Sequence, residues 1–553
     1  MTLSRYPLIV FSNQSESRIQ QWLITLVIAC TVLLGQGCSA ISAPNSPSRS
    51  ATLIATFATV TPPSVETCLK WYEDIDAAID TAGIRDGGPH RLAGYPHLRV
   101  DRFAASFSAQ ATQEPKIVPM LLWYARDLDM AARQHELLNL PPRQQEMLGT
   151  ADTAAAHSIL SNCSQLLVRR DIANSASAPH RQALFADWPV PDHYSQWKRA
   201  VGLYILTSIP FYSGVEAWQQ STANEFTRAS TGLSQIQNPG GFIRYMPSQP
   251  IKEPANIETI FGASLRNILW VPQLSEAGWH ELLNRYSPVF EIDHKGGFDQ
   301  IGTMQLDSSG HVIIDAATPS VYQRIAFTRI DHKTHVQLIY SIWFSERPAS
   351  NPLDLLAGNI DGVMLRITLD HDGSPLLVDS IHACGCYHLF FPTSRLQPRP
   401  SPNPRTEWAF IPQLLPILTA QQRVVVRLAS ATHYLTDIRF EEQGPPPITP
   451  AIRHSSYRLE MDSDLLSLPM PPRGDGRLPI EHKSAFLPRG LIAGTERGER
   501  FLFWPMGIVS PGAMRQWGTH ATAFVGIRHF DDADLIDKRF TIKNNDSLTH
   551  SEK

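Results

Sequence analysis

A strong excess of charge of either sign is missing from this chain of 553 residues. It carries 48 Lys and Arg against 52 Asp and Glu, a net charge of −4, and no long basic run appears. Proteins that bind nucleic acid through its phosphate backbone usually present a concentrated basic face. We therefore expect no nucleic-acid partner.

Motifs that identify a reaction are absent from the sequence as well. It contains no G-x-S-x-G nucleophile elbow, no H-E-x-x-H zinc pair, no phosphate-cradling loop and no dinucleotide fingerprint. The sequence therefore gives no motif support to an ordinary serine hydrolase, a zincin or a nucleotide-binding enzyme. Whether the protein is an enzyme at all stays open.

Long hydrophobic runs are also scarce. The uncharged segment at 22–35, WLITLVIACTVLLG, is shorter than the roughly 20 apolar residues that a membrane-spanning helix needs. Its length, after the weakly basic residues 1–21, is typical of a signal peptide. The tetrapeptide GQGC that follows ends at Cys38 and resembles the lipobox of bacterial lipoprotein precursors, although Leu34 stands one position further from the Cys than is usual.

This resemblance implies that residues 1–37 are a signal peptide and that Cys38 is acylated, which would make the membrane a partner through the lipid. Ser39 implies, by the same resemblance, the outer membrane and a body that faces the periplasm. Cleavage after Ala40, which would give a soluble periplasmic protein, is the alternative. Residues 38–64 carry one charge and are rich in Ser, Ala, Thr and Pro, so we expect a flexible tether.

Cysteine is used sparingly. Of the six cysteines, two lie in the export segment and its lipobox, and four remain: Cys68, Cys163, Cys384 and Cys386. An oxidising compartment favours pairing of such an even number. Cys68 and Cys163 both lie on the apolar stripe of a predicted helix, and we predict a disulfide between them.

Helices are predicted across residues 65–240 from the helical spacing of apolar residues. The helix that begins near residue 197 is expected to end at Pro210, because proline cannot donate the helical hydrogen bond. The uncharged stretch 201–215 predicts a buried core helix, with a membrane contact as the alternative.

A β-rich domain is predicted for residues 241–442, where short β-branched and aromatic segments alternate with Gly, Asp, Pro and Ser clusters. This spacing favours an antiparallel sheet, a sandwich or a partial barrel. Residues 443–480 are predicted to be a Pro-rich loop region, 481–545 to complete the β-rich domain, and 546–553 to be a disordered tail. The predicted fold class is α+β, with the helical region first.

The densest group of potential metal ligands is the segment HACGCYH, which holds His382, Cys384, Cys386 and His388. Imidazole and thiolate are ligands for zinc or copper, so we predict that a metal, if present, binds here. On a straight strand, at about 3.3 Å per residue, the two histidines would lie on the order of 20 Å apart. One shared ion therefore requires a turn at Gly385 or ligands from elsewhere.

Two other interpretations of this segment remain. A strained, redox-labile Cys384–Cys386 disulfide is one, and a purely structural role is the other. The histidines that could complete a site are each more typical of a surface or a satisfied core position. They are His332, His335, His433, His520 and His529.

The phrases DSIHACGCYHLFFP and ERGERFLFWPMG resemble uncharacterised exported bacterial proteins, to which no activity is attached. Two functions are therefore expected. One is a cell-envelope lipoprotein that binds metal through the 382–388 segment, and the other is a non-catalytic lipoprotein that binds or assembles with an envelope protein partner. The first should gather these residues with another His, Asp or Glu in a cleft. The second should bury or scatter them and expose an apolar patch.

Overall fold

A computed structural model of the chain describes residues 63–148, 153–186, 188, 190–230, 241–248, 261, 264, 266–418, 422–442, 452–472 and 481–543. The predicted signal peptide, the acylation site Cys38, nearly all of the predicted tether and the predicted C-terminal tail lie outside these residues. Parts of the predicted Pro-rich region lie outside them too.

Helices dominate the first part of the described chain, as predicted, and the fold class is α+β. The helices are α1 Val65–Ala82, α2 Arg102–Ala105, α3 Ser108–Gln113, α4 Val118–Leu138, α5 Pro142–Met147, α6 Thr153–Asn174, α7 Ala178–Phe185, α8 Gln196–Val201, α9 Tyr204–Ser230, α10 Glu276–Tyr286 and α11 Arg500–Phe503.

Helix α1 shows how closely the apolar spacing matches the fold. Ser64 caps its first turn by accepting a hydrogen bond from Thr67 N, and Gly83 ends it in the left-handed conformation with φ of 66°. The stripe predicted from the sequence faces the helical core, where Cys68 and Cys163 of α6 are both fully buried. The two are joined by a disulfide, so this prediction is confirmed.

Pro210 does not end a helix, contrary to the prediction. Helix α9 runs through it for 27 residues, from Tyr204 to Ser230. Proline removes the hydrogen bond to the carbonyl of Leu206, but Leu206 is exposed, so water can satisfy that oxygen. Phe226, further along α9, is buried in the core, and this packing outweighs the local cost.

The strands are β1 His90–Leu92, β2 Tyr95–Val100, β3 Phe242–Pro247, β4 Val289–Asp293, β5 Thr303–Leu306, β6 Val312–Asp315, β7 Ser320–Ile330, β8 Lys333–Arg347, β9 Gly358–Leu369, β10 Pro375–His382, β11 Leu389–Pro392, β12 Leu396–Pro398, β13 Gln422–Leu428, β14 Leu435–Glu442, β15 Ile452–Met461, β16 Leu468–Pro469, β17 His482–Lys483 and β18 Phe540–Ile542. Ten of them form one sheet in the order β11-β10-β9-β8-β7-β15-β3-β4-β13-β14.

This sheet is mixed, where the sequence favours an antiparallel sheet, a sandwich or a partial barrel. Strand β15 runs parallel to both of its neighbours, β7 and β3, and β13 runs parallel to β4. Strand β15 comes from the segment predicted as a Pro-rich loop region. Its burial is low over most of its length, so its sequence carries few of the apolar residues that identify a strand.

Both faces of the sheet are covered, which explains the continuous burial of strands β8 to β10. Along β8, Leu338, Tyr340 and Ile342 face a core shared with α9 and α10. The intervening Ile339 and Trp343 face a second core, which includes Met514 and Phe530 of the C-terminal segment. The segment at 481–543 therefore packs on the sheet and supplies one of its two covering layers.

Candidate functional site

The 382–388 segment forms a tight turn at the end of strand β10. Gly385 has a φ of +94°, and a Cβ at this position would come within 2.4 Å of Ala521 O. Glycine alone suits both demands. Hydrogen bonds from Gly385 N to His382 O and from His382 N to Cys386 O close the turn. The bend required at Gly385 by the metal hypothesis is therefore present.

His382 lies beside the carboxylate of Asp361 on β9, which it shares with His433. His433 Nδ1 lies 2.8 Å from Asp361 Oδ2, and His382 Nδ1 lies 3.7 Å from Asp361 Oδ1. All three side chains are buried. Burial raises the pKa of Asp361, but its two imidazole neighbours outweigh this and hold it well below its usual range. Asp361 is thus a buried anion that orients two imidazole rings.

A pair of phenols packs against His382. The hydroxyls of Tyr387 and Tyr434 lie 2.8 Å apart, and the ring of Tyr387 lies 5.0 Å from that of His382. Arg347 donates a hydrogen bond to Tyr434 OH at 3.2 Å. Tyr387 and His433 have φ of 61° and 53°, in the left-handed region that costs a non-glycine residue about 1–3 kcal/mol. The ring contacts and the Asp361 hydrogen bond offset this strain.

A narrow cleft opens beside His382, between the sheet and helix α9. Trp218 and Thr222 of α9 line one side, and Ser380 and Tyr387 line the other. Among the described residues, His382 Nε2 has no hydrogen-bond partner. The free volume is about 10 Å³, which accommodates one water molecule. The cleft can hold a water molecule against an imidazole base, but it has no room for an organic substrate.

His388 is held by a different carboxylate. Its Nε2 lies 2.8 Å from Asp379 Oδ2, and Arg366 donates to both oxygens of Asp379 at 2.9 and 2.5 Å. The guanidinium of Arg366 lies 3.8 Å from the ring centroid of Phe530. Burial lowers the pKa of His388 to about 3, so its imidazole is neutral at neutral pH. These contacts join β9 and β10 to the C-terminal segment.

Cys384 and Cys386 are free thiols in contact with each other. Cys386 N lies 3.4 Å from Cys384 Sγ, and Cys384 is buried in the second core. The contact with Cys384 raises the pKa of the Cys386 thiol well above its usual range, and burial adds to this effect. A thiol of raised pKa offers little thiolate for nucleophilic attack or metal binding at neutral pH. The redox-labile disulfide stays a prediction.

The four predicted ligands do not converge on one point. In the described part of the chain, none of the four belongs to a group of three His, Cys, Asp or Glu residues whose ligand atoms all lie within 4.8 Å of one another. His433, a candidate from the sequence, does join His382. Sequence reasoning missed Asp361, although a single acid inside the apolar strand GNIDGVMLRITL is a signal of a buried polar contact.

A cluster of exposed apolar side chains lies on helix α8, on the first turns of helix α9 and on the residue between them, Leu203. It is formed by Trp197, Val201, Leu203, Ile205, Leu206 and Ile209, which are 60–83% exposed. We call this the α8–α9 apolar face. The expectation of a buried core helix over 201–215 was therefore wrong, since Gly202 is the one buried residue of this stretch. Phe501, on the neighbouring helix α11, is 64% exposed.

The opposite side of α9 is firmly packed. Tyr204 OH accepts a hydrogen bond from Gly526 N at 2.8 Å, and the ring of Phe211 lies 5.1 Å from that of Phe503. Trp218 lies 5.5 Å from Phe410. The apolar face is thus presented by a helix whose inward side chains are held by the C-terminal segment and the sheet.

Within the described ranges, none of the helices combines the length and the hydropathy of a membrane span. Comparison with known proteins returned no matching family model, no matching curated protein and no matching solved structure.

Proposed function

We propose that this protein is a lipoprotein of the outer membrane, facing the periplasm, that binds the membrane surface through the α8–α9 apolar face. The observation that carries the proposal is the exposure of five aliphatic side chains between Val201 and Ile209. Soluble monomers rarely expose large contiguous apolar patches without an interaction partner. The His/Cys segment is, in this proposal, a structural element of the sheet.

The chemistry of the face favours a lipid surface over a protein groove. No charged residue occurs from Ala200 to Val215, and the exposed side chains of the face are Ile, Leu and Val, with Trp197 at one end. Helices that lie in the membrane interface bury such a face below the headgroups, with aromatic residues at its border. Burial of five such side chains in the bilayer would contribute on the order of 5 kcal/mol to the free energy of membrane binding.

The proposed acylation at Cys38 would make this docking intramolecular. The described chain begins at residue 63, so 62 − 39 + 1 = 24 residues lie between it and Cys38. Such a segment can span at most about 80–90 Å. A connection of this length gives an effective concentration in the millimolar range or below, so even a weak surface affinity produces a docked state.

Brominated lipids provide a direct test, because they quench tryptophan fluorescence only within the bilayer. The full-length lipidated protein is reconstituted into vesicles with and without such lipids. We expect quenching that is lost in Trp197→Phe and in the Ile205→Asp/Ile209→Asp variant. The matched control is Leu353→Asp, since Leu353 is 73% exposed but lies outside the face.

The two parts of the proposal fail separately. Intact-mass analysis of membrane-extracted protein should give a mature N-terminus at Cys38 with acyl mass, and a terminus at Ser39 or later would refute the anchor. Equal quenching in the parent and in Ile205→Asp/Ile209→Asp would refute docking through the α8–α9 apolar face and would leave an envelope protein as the partner.

A second function is favoured by one specific observation, the unpartnered Nε2 of His382 in the cleft. With Asp361 behind it, His382 has the arrangement of a general base that activates water. Opening of the cleft between α9 and the sheet would be needed to admit a substrate. A panel of chromogenic esters, phosphoesters and glycosides tests this: turnover should vanish in His382→Asn and persist in His332→Asn. Absence of turnover, or turnover unchanged in His382→Asn, would exclude the catalytic role.

A further inference from the structure

A second group of potential metal ligands lies at the other end of strand β10 from the 382–388 turn. Asp370 and His371 directly follow β9, in the turn that leads to β10, and His335 lies on the adjacent strand β8. The ligand atoms of these three side chains all lie within 4.8 Å of one another. The imidazole rings of His335 and His371 are 4.3 Å apart.

The side chain of His371 is an unsatisfied polar group. Both of its ring nitrogens are buried, and neither has a hydrogen-bond partner among the described residues. A buried polar group without a partner costs about 1–3 kcal/mol and calls for an explanation. Its backbone is fixed, because its N donates to Asp370 Oδ1 at 2.7 Å and its O accepts from Arg266 at 2.7 Å.

The two carboxylate oxygens of Asp370 have different neighbours. Oδ2 pairs with Arg395, whereas Oδ1 lies 3.8 Å from His335 Nδ1, which is itself 3.1 Å from the carbonyl oxygen of Leu369. Imidazole nitrogen and carboxylate oxygen are both ligands that transition-metal ions accept.

The surrounding charges restrict which ion could bind. Arg266 contacts His371, Arg395 pairs with Asp370, and Lys333 lies 4.9 Å above the ring of Trp270, which is itself next to His371. This positive environment opposes an ion held mainly by charge, such as calcium or magnesium. An ion that bonds strongly to imidazole, such as zinc or copper, tolerates it better.

We propose that His335, Asp370 and His371 bind a divalent transition-metal ion, with zinc as the reference ion. Ligand atoms on a tetrahedral zinc lie about 3.4 Å apart, because the bonds are about 2.0–2.2 Å long. The present limit of 4.8 Å thus requires side-chain movements of about 1 Å. Two imidazoles and one carboxylate leave a fourth position for water. Trp270, 41% exposed, lies beside His371, so the turn is close to solvent.

Isothermal titration of the chelator-treated full chain with zinc tests the proposal. We expect saturable binding of one ion per chain. Loss of a second-sphere group commonly weakens metal binding about 10–100-fold, so loss of a direct ligand in His371→Ala or His335→Gln should weaken it at least tenfold. His332→Ala is the matched control, since His332 is exposed and lies three residues from His335.

The variant Cys384→Ser/Cys386→Ser separates this site from the segment predicted from the sequence. Unchanged zinc binding in that variant, with loss in His371→Ala, supports the proposal. Loss of zinc binding in Cys384→Ser/Cys386→Ser with unchanged binding in His371→Ala overturns it, and so does the absence of saturable binding in the parent. Unfolding curves of His371→Ala that match the parent without metal would show that lost binding is not lost folding.

Discussion

Removal of the Cys68–Cys163 disulfide should destabilise the helical region strongly. The bond joins α1 to α6 and closes a loop with a sequence separation of 95 residues. Chain entropy alone assigns about 4–5 kcal/mol at 25 °C to a cross-link of this size, because the unfolded chain loses that much freedom. In the Cys68→Ala/Cys163→Ala variant, each fully buried sulfur also leaves a small void, worth about 1 kcal/mol.

The total, on the order of 5–7 kcal/mol, is comparable with the whole stability of many domains. Urea unfolding followed by helical circular dichroism measures it. Hydrogen exchange should place the loss of protection in α1 and α6, because these helices face each other across the disulfide.

The matched control is Cys384→Ala/Cys386→Ala, which also removes two sulfurs but no cross-link. It should cost only about 1–2 kcal/mol, from lost packing. If the Cys68→Ala/Cys163→Ala variant loses no more than this control, the entropic reasoning is refuted.

Two further predictions concern buried carboxyl groups. Burial raises the pKa of Glu499 from 4.5 to about 7, so between these pH values the folded chain keeps a proton that the unfolded chain has lost. The free energy of unfolding should therefore fall by on the order of 3 kcal/mol as the pH rises from 4.5 to about 7. Urea midpoints of the parent at the two ends of the window should differ accordingly, and those of Glu499→Gln should differ less; an equal slope in both would contradict this. Asp361→Asn should cost about 3 kcal/mol at neutral pH, because it removes the anion shared by His382 and His433. Since the pKa of Asp361 is depressed, that contribution is present above its unfolded value and is lost as the pH falls, so the parent and Asp361→Asn should converge in acid.

Features that depend on local pattern were predictable from the sequence. The apolar stripe and the terminal Gly83 of α1, the disulfide and the turn at Gly385 all follow from residue spacing and from the conformational freedom of glycine. Strand β15 was not predictable, because its neighbours in the sheet, and not its own apolar content, determine its conformation. The same holds for helix α9 beyond Pro210, which distant aromatic residues stabilise.

The candidate sites show the same limit. The HACGCYH segment is the densest group of potential ligands in the sequence, but these residues do not converge in space. Its two histidines are held apart, His382 by Asp361 and His388 by Asp379. The three-residue group at Asp370 depends on the pairing of β8 with β9, and no spacing in the sequence specifies that pairing. Of these three residues, His335 alone is a candidate from the sequence.

The position of β15 has a consequence for how the chain reaches its native state. Among the described strands, it alone joins the half-sheet β11-β10-β9-β8-β7 to the half-sheet β3-β4-β13-β14. Its pairing of Ile452 with Phe242 spans 452 − 242 = 210 residues, and contacts of such high sequence separation form slowly. The first half-sheet is a meander that can form locally, but until residues 452–461 arrive, β7 and β3 each present an open edge. Open strand edges are templates for pairing between molecules, so the late arrival of this one strand determines how long the folding chain is exposed to aggregation.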